Sequence, residues 1–113
     1  MTRMKQSEIN IKVSLDENHV PQKITWNSKD DVQDASSECK ALMMSLWDAK
    51  ENNTLRIDLW TKDMMIDEMK HFFFQSMITM SDTYERATSD TATAEEIREF
   101  AKKMGEKILA QKY

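Results

Sequence analysis

The sequence predicts an α+β fold: a four-stranded antiparallel sheet, built from two hairpins, followed by two helices packed on one face of the sheet. Three observations lead to this prediction. Apolar and polar side chains alternate in short segments of the first 61 residues, as in half-buried strands. From residue 64 onward, apolar side chains recur at steps of three and four residues, as in amphipathic helices. The chain has 113 residues, so a single domain spanning 1–113 is expected, with residues 1–6 disordered.

The first hairpin is predicted from two alternating segments, residues 8–15 and 22–27. Between them, residues 16–21 contain Asn18 and Pro21, which favour a turn. Alternation places one set of side chains on a common apolar side, which we expect to face the core. This set consists of Ile9, Ile11, Val13, Leu15, Ile24 and Trp26.

The second hairpin is predicted from residues 39–48 and 54–61, joined by a four-residue turn at 49–52. Residues 28–38 before it are polar and are predicted to form a loop or a short helical turn. The earlier strand is apolar at both parities and is also compatible with a buried helical segment. Register favours the strand, because one alignment gathers the apolar residues on one face and a one-residue shift would turn one set outward. In that alignment the buried face consists of Leu42, Met44, Leu46, Leu55, Ile57 and Leu59.

Two helices are predicted in the C-terminal half. The first covers residues 64–88, with Asp63 as its N-cap. The second begins at Thr93, where Thr93 and Glu96 have the spacing of a capping box. The apolar side chains at helical spacing are predicted to pack toward the core. They are Ile66, Met69, Phe73, Met77, Met80 and Tyr84 in the first helix, and Ile97, Phe100, Met104 and Ile108 in the second.

Composition argues against several classes of protein. The formal net charge is −4, which argues against a nucleic-acid binder and against a polybasic membrane anchor. Gly105 is the only glycine, so the glycine-rich loops that bind phosphates are excluded. Cys39 is the only cysteine, and the N-terminus lacks the apolar run of a secretory signal. We therefore expect a cytoplasmic protein without direct membrane insertion.

No group of residues has the pattern of an active site. His71 follows Asp63 and Asp67 at helical spacing, and such a trio can hold a metal. A solvated helix face is the favoured interpretation, because no second His or Cys is close in sequence. Cys39 has no evident base beside it and is interpreted as a buried structural thiol. We expect no enzymatic activity, no catalytic residue, no cofactor and no bound metal.

Strand parity leaves a second group of side chains on the face opposite the predicted core of the second hairpin. Trp, Met and Arg belong to this group, and these residue types are enriched at protein interfaces. Two interpretations stay open. The face is a contact surface for a partner protein or a second copy, or it is covered by a terminal helix, a partner subunit or the 28–38 segment. The candidate partner-binding residues are Met43, Trp47, Arg56, Asp58 and Trp60.

The same region resembles the GldC family of gliding-motility proteins from Bacteroidetes and similar bacteria. The resemblance covers residues 7–88, and its most specific part is the run Thr54–Met64. Met65 stands where the family pattern has a proline. The other matching segments are Ser7-Glu8-Ile9, Leu15-Asp16-Glu17-Asn18, Pro21, Ile24-Thr25-Trp26, Leu46-Trp47-Asp48, Asp67-Glu68-Met69, Asp82-Thr83 and Arg86-Ala87-Thr88.

The resemblance implies a small cytoplasmic accessory protein of gliding motility, a process tied to a secretion machine of the cell envelope. We expect a non-enzymatic accessory or chaperone-like protein that acts through protein–protein contacts. Its expected partners are gliding or secretion components, a homo-oligomer is compatible with the sequence, and nucleic acid is not expected. The alternative is a small ligand-binding domain or enzyme with a pocket between the sheet and the helices. A deep pocket with convergent polar groups would favour that alternative.

Overall fold

The computed structural model describes residues 4–28 and 36–111, and the chain divides into two compact units, Met1–Met64 and Met65–Tyr113. The α+β class is confirmed. Of the residues predicted to be disordered, 4–6 are exposed and lack regular secondary structure, and 1–3 lie outside the described residues. The first unit contains β1 (Ile9–Leu15), β2 (Pro21–Ser28), β3 (Ser37–Cys39), β4 (Ala41–Asp48) and β5 (Asn53–Trp60), and the second contains α1 (Ile66–Thr88) and α2 (Thr91–Leu109).

Strands β1, β2 and β3 form an antiparallel sheet in that order. Val13 pairs with Ile24, so the apolar side chains of β1 and β2 share one face, as alternation predicts. Ile24 is fully buried and is the centre of this face. Ile9, Leu15 and Trp26 are substantially exposed, however, so the prediction that the whole apolar side faces the core is wrong at these positions.

The predicted single sheet of four strands is wrong: the described residues form five strands in two sheets. The additional strand, β3, takes its first two residues from the segment predicted as a loop. Its third, Cys39, was predicted to begin the second hairpin but lies opposite Ile24 of β2 instead. The chain bends at Lys40 and continues as β4, which pairs with β5 instead. β3 has only three residues, two of them polar, and so produces no alternating apolar signal. Residues 29–35 of the predicted loop lie outside the described part of the chain.

Hydrogen bonds join the two sheets beside the bend at Lys40. The Thr61 N–H donates to the Lys40 carbonyl at 2.8 Å, and the Lys62 N–H donates to the Pro21 carbonyl at 3.1 Å. Thr61 is buried, and its hydroxyl donates to the Asp63 carboxylate at 2.5 Å. The end of β5 is therefore fixed both to the β3–β4 bend and to the start of β2. We call this group of bonds the sheet junction.

The predicted register of β4 and β5 is confirmed. Their connection is the predicted turn at 49–52, in which Asn52 has a left-handed backbone with φ of 54°. Asn tolerates this conformation better than most residues. The Asp48 carboxylate accepts the Glu51 N–H at 2.6 Å and closes the turn. The three expected apolar pairs are Leu42 with Leu59, Met44 with Ile57, and Leu46 with Leu55.

The apolar face of this hairpin is less buried than predicted. Leu46, Leu55 and Ile57 expose between 43% and 50% of their surface, and the other three residues of the face are partly buried. Parity decides which side chains share a face, but not whether another layer covers it. The predicted six-residue buried core is therefore wrong for the half of the hairpin nearer the turn.

Asp16 organises the turn between β1 and β2. Its carboxylate accepts the N–H groups of Asn18 at 2.8 Å and Val20 at 3.0 Å. It also forms an ion pair with Lys62 at 2.9 Å, and this bond is the main reason that the pKa of Asp16 is lowered to about 2. The turn is thereby attached to the sheet junction, because the Lys62 N–H is one of the donors of that junction.

Helix α1 begins at Ile66, later than predicted, and Met65 rather than Asp63 occupies the N-cap position. The Met65 N–H donates to the Glu68 carboxylate at 2.9 Å, which satisfies one of the free donors at a helix start. The carboxylate of Asp63 is already bonded to the Thr61 hydroxyl, and this bond holds the pKa of Asp63 below its usual value. The predicted N-cap therefore belongs to the sheet junction instead.

Helix α2 begins at Thr91 with Asp90 as its N-cap, so the predicted capping box starting at Thr93 is wrong. The Asp90 carboxylate accepts the Thr93 N–H at 3.1 Å and the Tyr84 hydroxyl at 2.9 Å. The Thr93 side chain, then the Thr93 N–H and the Tyr84 hydroxyl, lower the pKa of Asp90 by stabilising its carboxylate. Before it, Ser89 ends α1 in a left-handed conformation with φ of 61°, so that two residues reverse the chain.

The two helices run antiparallel and pack through small side chains, a contact that we call the helix seam. Its fully buried residues are Ser81 of α1 and Ala94, Ala101 and Gly105 of α2. The ring of Phe74 lies so close to Gly105 that a Cβ there would overlap it. The predicted apolar stripes were expected to be core, and this is wrong for five of their residues. The exposed members are Ile66, Phe73, Met80, Ile97 and Phe100.

A charged cluster closes one edge of the helix seam. Arg98 of α2 donates to Asp82 at 2.8 Å and to Glu85 at 3.0 Å, both on α1. It also bonds to Glu95 on its own helix. These carboxylates, Asp82 first, raise the pKa of Arg98. The charged cluster holds the two helices together through ion pairs, and the helix seam holds them together through close packing of small side chains.

Substitution Gly105→Ala should destabilise the protein, although the same change in an open helix would stabilise it. A methyl group overlapping the Phe74 ring should cost about 1–3 kcal/mol, against a gain of about 1 kcal/mol from helix propensity. We expect a net loss of unfolding free energy, measured by urea denaturation followed by circular dichroism. In a Phe74→Leu background the overlap is relieved, so Gly105→Ala should be neutral or stabilising there. An equal loss in both backgrounds would contradict the proposed contact.

Stability should fall in acid partly through Asp16. Its pKa in the folded protein, about 2, lies below the ordinary value of 3.8, so its bonds stabilise the fold fully above the ordinary value. That contribution is lost as the pH falls through the range from 3.8 to about 2. Asp16→Asn should therefore lower the unfolding free energy at neutral pH, and the difference from wild type should shrink in this range. Lys62→Gln should weaken the same dependence, and a difference that stays constant down to pH 2 would contradict the assignment.

Candidate functional site

The residues predicted as a contact surface lie together on one face of the β4–β5 hairpin. Met43 is directly opposite Asp58, and Ser45 is directly opposite Arg56. Since successive side chains of a strand point to opposite faces, the confirmed register places all of them on the side away from the Leu and Ile pairs. We call this side the tryptophan face; it consists of Ala41, Met43, Ser45, Trp47, Thr54, Arg56, Asp58 and Trp60.

An arginine–aspartate pair occupies the middle of the tryptophan face. The Arg56 guanidinium donates to Asp58 through Nη2 at 3.0 Å and through Nε at 3.3 Å, a two-pronged bond. Its Nη1 donates to the Ser45 hydroxyl at 2.6 Å. Asp58 raises the pKa of Arg56, so the guanidinium is held in its charged form. The pair forms a fixed charged group on an otherwise aromatic and small-residue surface.

Two tryptophans stand at opposite ends of the tryptophan face. Trp60 is level with Ala41, and Trp47 lies six residues further along β4, a separation of about 20 Å at the usual rise of a strand. Their exposed fractions are 68% for Trp47 and 56% for Trp60. Large aromatic side chains with this much exposure are typical of contact sites. The arrangement can hold a protein surface at two apolar points with an ion pair between them.

Two residues of the face were assessed differently from the sequence. Met43 is partly buried, so less of its side chain is available for contact than the sequence predicted. Ser45 was not singled out from the sequence, whereas in the structure its hydroxyl accepts a hydrogen bond from Arg56, whose other partner is Asp58. The signal that could have found it is its position opposite Arg56 in the predicted register.

A shallow cavity of about 260 Å³ lies beside Trp60. It brings in Val20 and Pro21, which sequence reasoning treated only as part of a turn, together with Asp58 and Leu59. Pro21 is held there because its carbonyl accepts the Lys62 N–H of the sheet junction. The cavity is smaller than the roughly 300–1,000 Å³ typical of small-molecule sites. It extends the apolar surface around Trp60 toward the β1–β2 turn.

The residues weighed for chemistry do not form a common site in the described chain. Cys39 is partly buried, and this burial raises the pKa of its thiol, which keeps it in the less reactive protonated form. Asp63 precedes α1 instead of sharing a helix face with Asp67 and His71. Within residues 4–28 and 36–111, no three His, Cys, Asp or Glu side chains are grouped so that they could hold a metal ion.

Comparison with known families decides the relationship that the sequence suggested. A family model described as "Gliding motility-associated protein GldC-like" matches residues 21–110. The chain belongs to the GldC-like family. No curated protein and no solved structure matches the chain.

The GldC-like match extends over strands β2 to β5 and both helices, including α2, which the sequence resemblance did not reach. It contains the whole tryptophan face and the helix seam. Strand β1 and most of the turn after it lie before the matched region. Neither α1 nor α2 is long and apolar enough to cross a membrane.

Purified protein should retain no stoichiometric divalent metal. The physical reason is the spacing of Asp63, Asp67 and His71, of which the first lies outside α1. Elemental analysis after purification without chelator should find well below one equivalent of zinc, manganese or iron. Addition of a chelator should also leave the thermal midpoint unchanged. One equivalent of zinc retained through purification would overturn this expectation.

Proposed function

We propose that this GldC-like protein is a non-enzymatic accessory protein of bacterial gliding motility, located in the cytoplasm, that acts by binding another protein. The tryptophan face is the proposed binding surface, with Met43, Trp47, Arg56, Asp58 and Trp60 as its principal residues. Family membership supports the connection to gliding motility. The observation that carries the proposed mode of action is the pair of exposed tryptophans on either side of the Arg56–Asp58 ion pair.

The tryptophans provide the apolar part of the proposed contact. Trp47 and Trp60 are among the residue types that most often dominate binding energy at protein interfaces. Because each is rigid and already exposed on a paired strand, a partner need not displace other side chains to reach it. The cavity formed by Val20, Pro21 and Leu59 beside Trp60 gives a partner side chain a place to insert.

The Arg56–Asp58 pair provides orientation. Both side chains expose 43% of their surface, so the pair on its own contributes little to stability. Its bonds to Asp58 and Ser45 nevertheless hold the guanidinium in one position before a partner arrives. A partner with a carboxylate or backbone carbonyl at this place would gain a charge-assisted hydrogen bond without the cost of ordering a long side chain.

The alternative, a ligand-binding domain or an enzyme, would require polar groups that converge on an enclosed pocket. In the cavity beside Trp60, the charged lining residue is Asp58, whose carboxylate is already bonded to Arg56. The protonated, partly buried thiol of Cys39 also favours a structural over a catalytic interpretation. These observations support the binding role over the alternative.

The double substitution Trp47→Ala with Trp60→Ala should abolish partner capture while the protein stays folded. Wild-type and variant proteins would be used as bait in extracts of the cells that naturally contain the protein, and captured proteins would be quantified by mass spectrometry. Loss of an interface hot spot costs about 2 kcal/mol or more, so capture should fall by about thirtyfold or more. Cells that carry only the double variant should show a corresponding defect in gliding.

The matched control is Ile9→Ala, which removes an equally exposed large apolar side chain from β1. It should leave capture unchanged. Circular dichroism and thermal unfolding would verify that all variants are folded. If the double variant captured the same proteins in the same amounts, the tryptophan face would not be the binding surface. If it failed to fold, the two tryptophans would have a structural role and the proposal would be wrong.

A further inference from the structure

The helical unit has an exposed apolar face that the proposed function does not use. We call it the helical face. Exposed fractions within it run from 37% for Ile97 to 63% for Ile66. Met69 and Met104 lie between these residues and are partly buried. Its exposed residues are Ile66, Phe73 and Met80 of α1 and Ile97 and Phe100 of α2.

These residues lie on one side of the helix pair. At about 100° per residue, the exposed apolar side chains of α1 and of α2 are each rotated by about 90° from the buried residues of the seam. The rotation has the same sense in both helices, for example from Ser81 to Met80 and from Ala101 to Phe100. Because the helices run antiparallel, the same sense brings both stripes to the same side. The Arg98–Glu85 ion pair is rotated the other way and lies on the opposite edge.

Among the described residues of α1, charged side chains lie outside the helical face; in α2, two charged side chains border it beside Phe100. In α1, helical rotation puts Lys70 at the seam and Asp82 on the far side. In α2, Glu96 and Lys107 stand at the margin of the face. A helix side that faces water normally carries charged and polar residues, so a side of this length with charge only at one edge is typical of a surface that becomes covered.

The exposed area is that of a dimer contact. With about 200 Å² for a fully exposed large side chain, the exposed fractions correspond to about 550 Å² of apolar surface on each copy. Two such faces would together bury about 1,100 Å² before any polar rim is counted, which exceeds the roughly 1,000 Å² expected of a biological interface. The same area is at the upper end of the largest apolar patch on ordinary monomers, about 300–600 Å².

We propose that a second copy of this chain docks its own helical face on the helical face of the first, and that the protein is a homodimer joined by a four-helix bundle. Each copy supplies two antiparallel helices, which are half of such a bundle. A two-fold axis brings identical patches together, and a predominantly apolar patch is complementary to itself. Met80 and Phe100, which lie level on neighbouring helices, form the middle of this contact.

A membrane surface is a less suitable occupant. Helices that lie on membranes usually have Lys and Arg on the polar side, which bind anionic lipids. This chain has a net charge of −4, and the charged residues at the margin of the helical face are one acid, Glu96, and one base, Lys107. An anionic lipid surface would therefore gain no attraction from this protein.

The test is sedimentation equilibrium of the full chain over a wide range of concentrations. Wild type should be a dimer. Phe100→Glu and Met80→Glu should each be monomeric, because either buries a charge in the apolar contact. Phe100→Ala, which is milder, should weaken dimerisation by about thirtyfold. Gln75→Glu adds the same charge to an exposed position on the other side of α1 and should stay dimeric.

The outcomes separate this proposal from the binding role of the tryptophan face. The Trp47→Ala and Trp60→Ala double variant should remain dimeric. A wild-type protein that is monomeric at every concentration would contradict the proposed homodimer. If that monomer also bound vesicles, the helical face would be a membrane contact instead. Glutamate variants that remain dimeric would place the contact elsewhere. If a glutamate variant loses its helical circular dichroism, Phe100→Ala decides: an unchanged dimerisation constant would overturn the proposal.

Discussion

The pairing of β4 with β5 determines what the first unit can present to other molecules. With Leu46 opposite Leu55, every second side chain of the hairpin is apolar on one side, and both tryptophans are on the other. A shift by one residue would exchange these faces and separate Arg56 from Ser45. The turn fixes the register, because Asn52 adopts the left-handed conformation that closes a four-residue connection. The surface chemistry of the hairpin thus depends on backbone geometry at a solvent-exposed turn.

In the helical unit, the sizes of the side chains between the helices determine which surface is presented to other molecules. Ser81, Ala94, Ala101 and Gly105 are too small to keep the helices apart, so the helix axes approach closely and Phe74 fills the space above Gly105. The large apolar side chains are consequently turned away from the seam. A protein with large residues in the seam would bury them there and have no apolar side left for a partner. The small residues of the helix seam and the large exposed residues of the helical face thus have one cause, namely which side chains lie between the two helices.

Much of the first unit follows from sequence. Alternation predicts β1, β2 and β5, and the apolar pairs with β5 predict both β4 and its register, because a strand has a period of two. The short strand β3 could not be predicted, since Ser37 and Glu38 give no apolar signal and the pairing depends on β2. For the helices, the pattern identified the stripe containing Phe100, but not that Ala101 and Gly105 form the seam. Small residues add little to an apolar pattern, although they permit the closest contact. Parity predicted the face that contains Trp47 and Trp60. It did not predict that Ser45 on this face accepts a hydrogen bond from Arg56.

The sheet junction gives the first unit a mechanical property. Lys62 is bound twice: its N–H to the Pro21 carbonyl and its ammonium to the Asp16 carboxylate. Thr61 beside it is bound to the carbonyl at the β3–β4 bend. The two residues that follow Trp60 are therefore both bonded to other parts of the unit. The end of β5 cannot move away from β2 or from the turn before β2 without breaking these bonds. Several hydrogen bonds and one ion pair would therefore have to break before the two sheets of the first unit could separate.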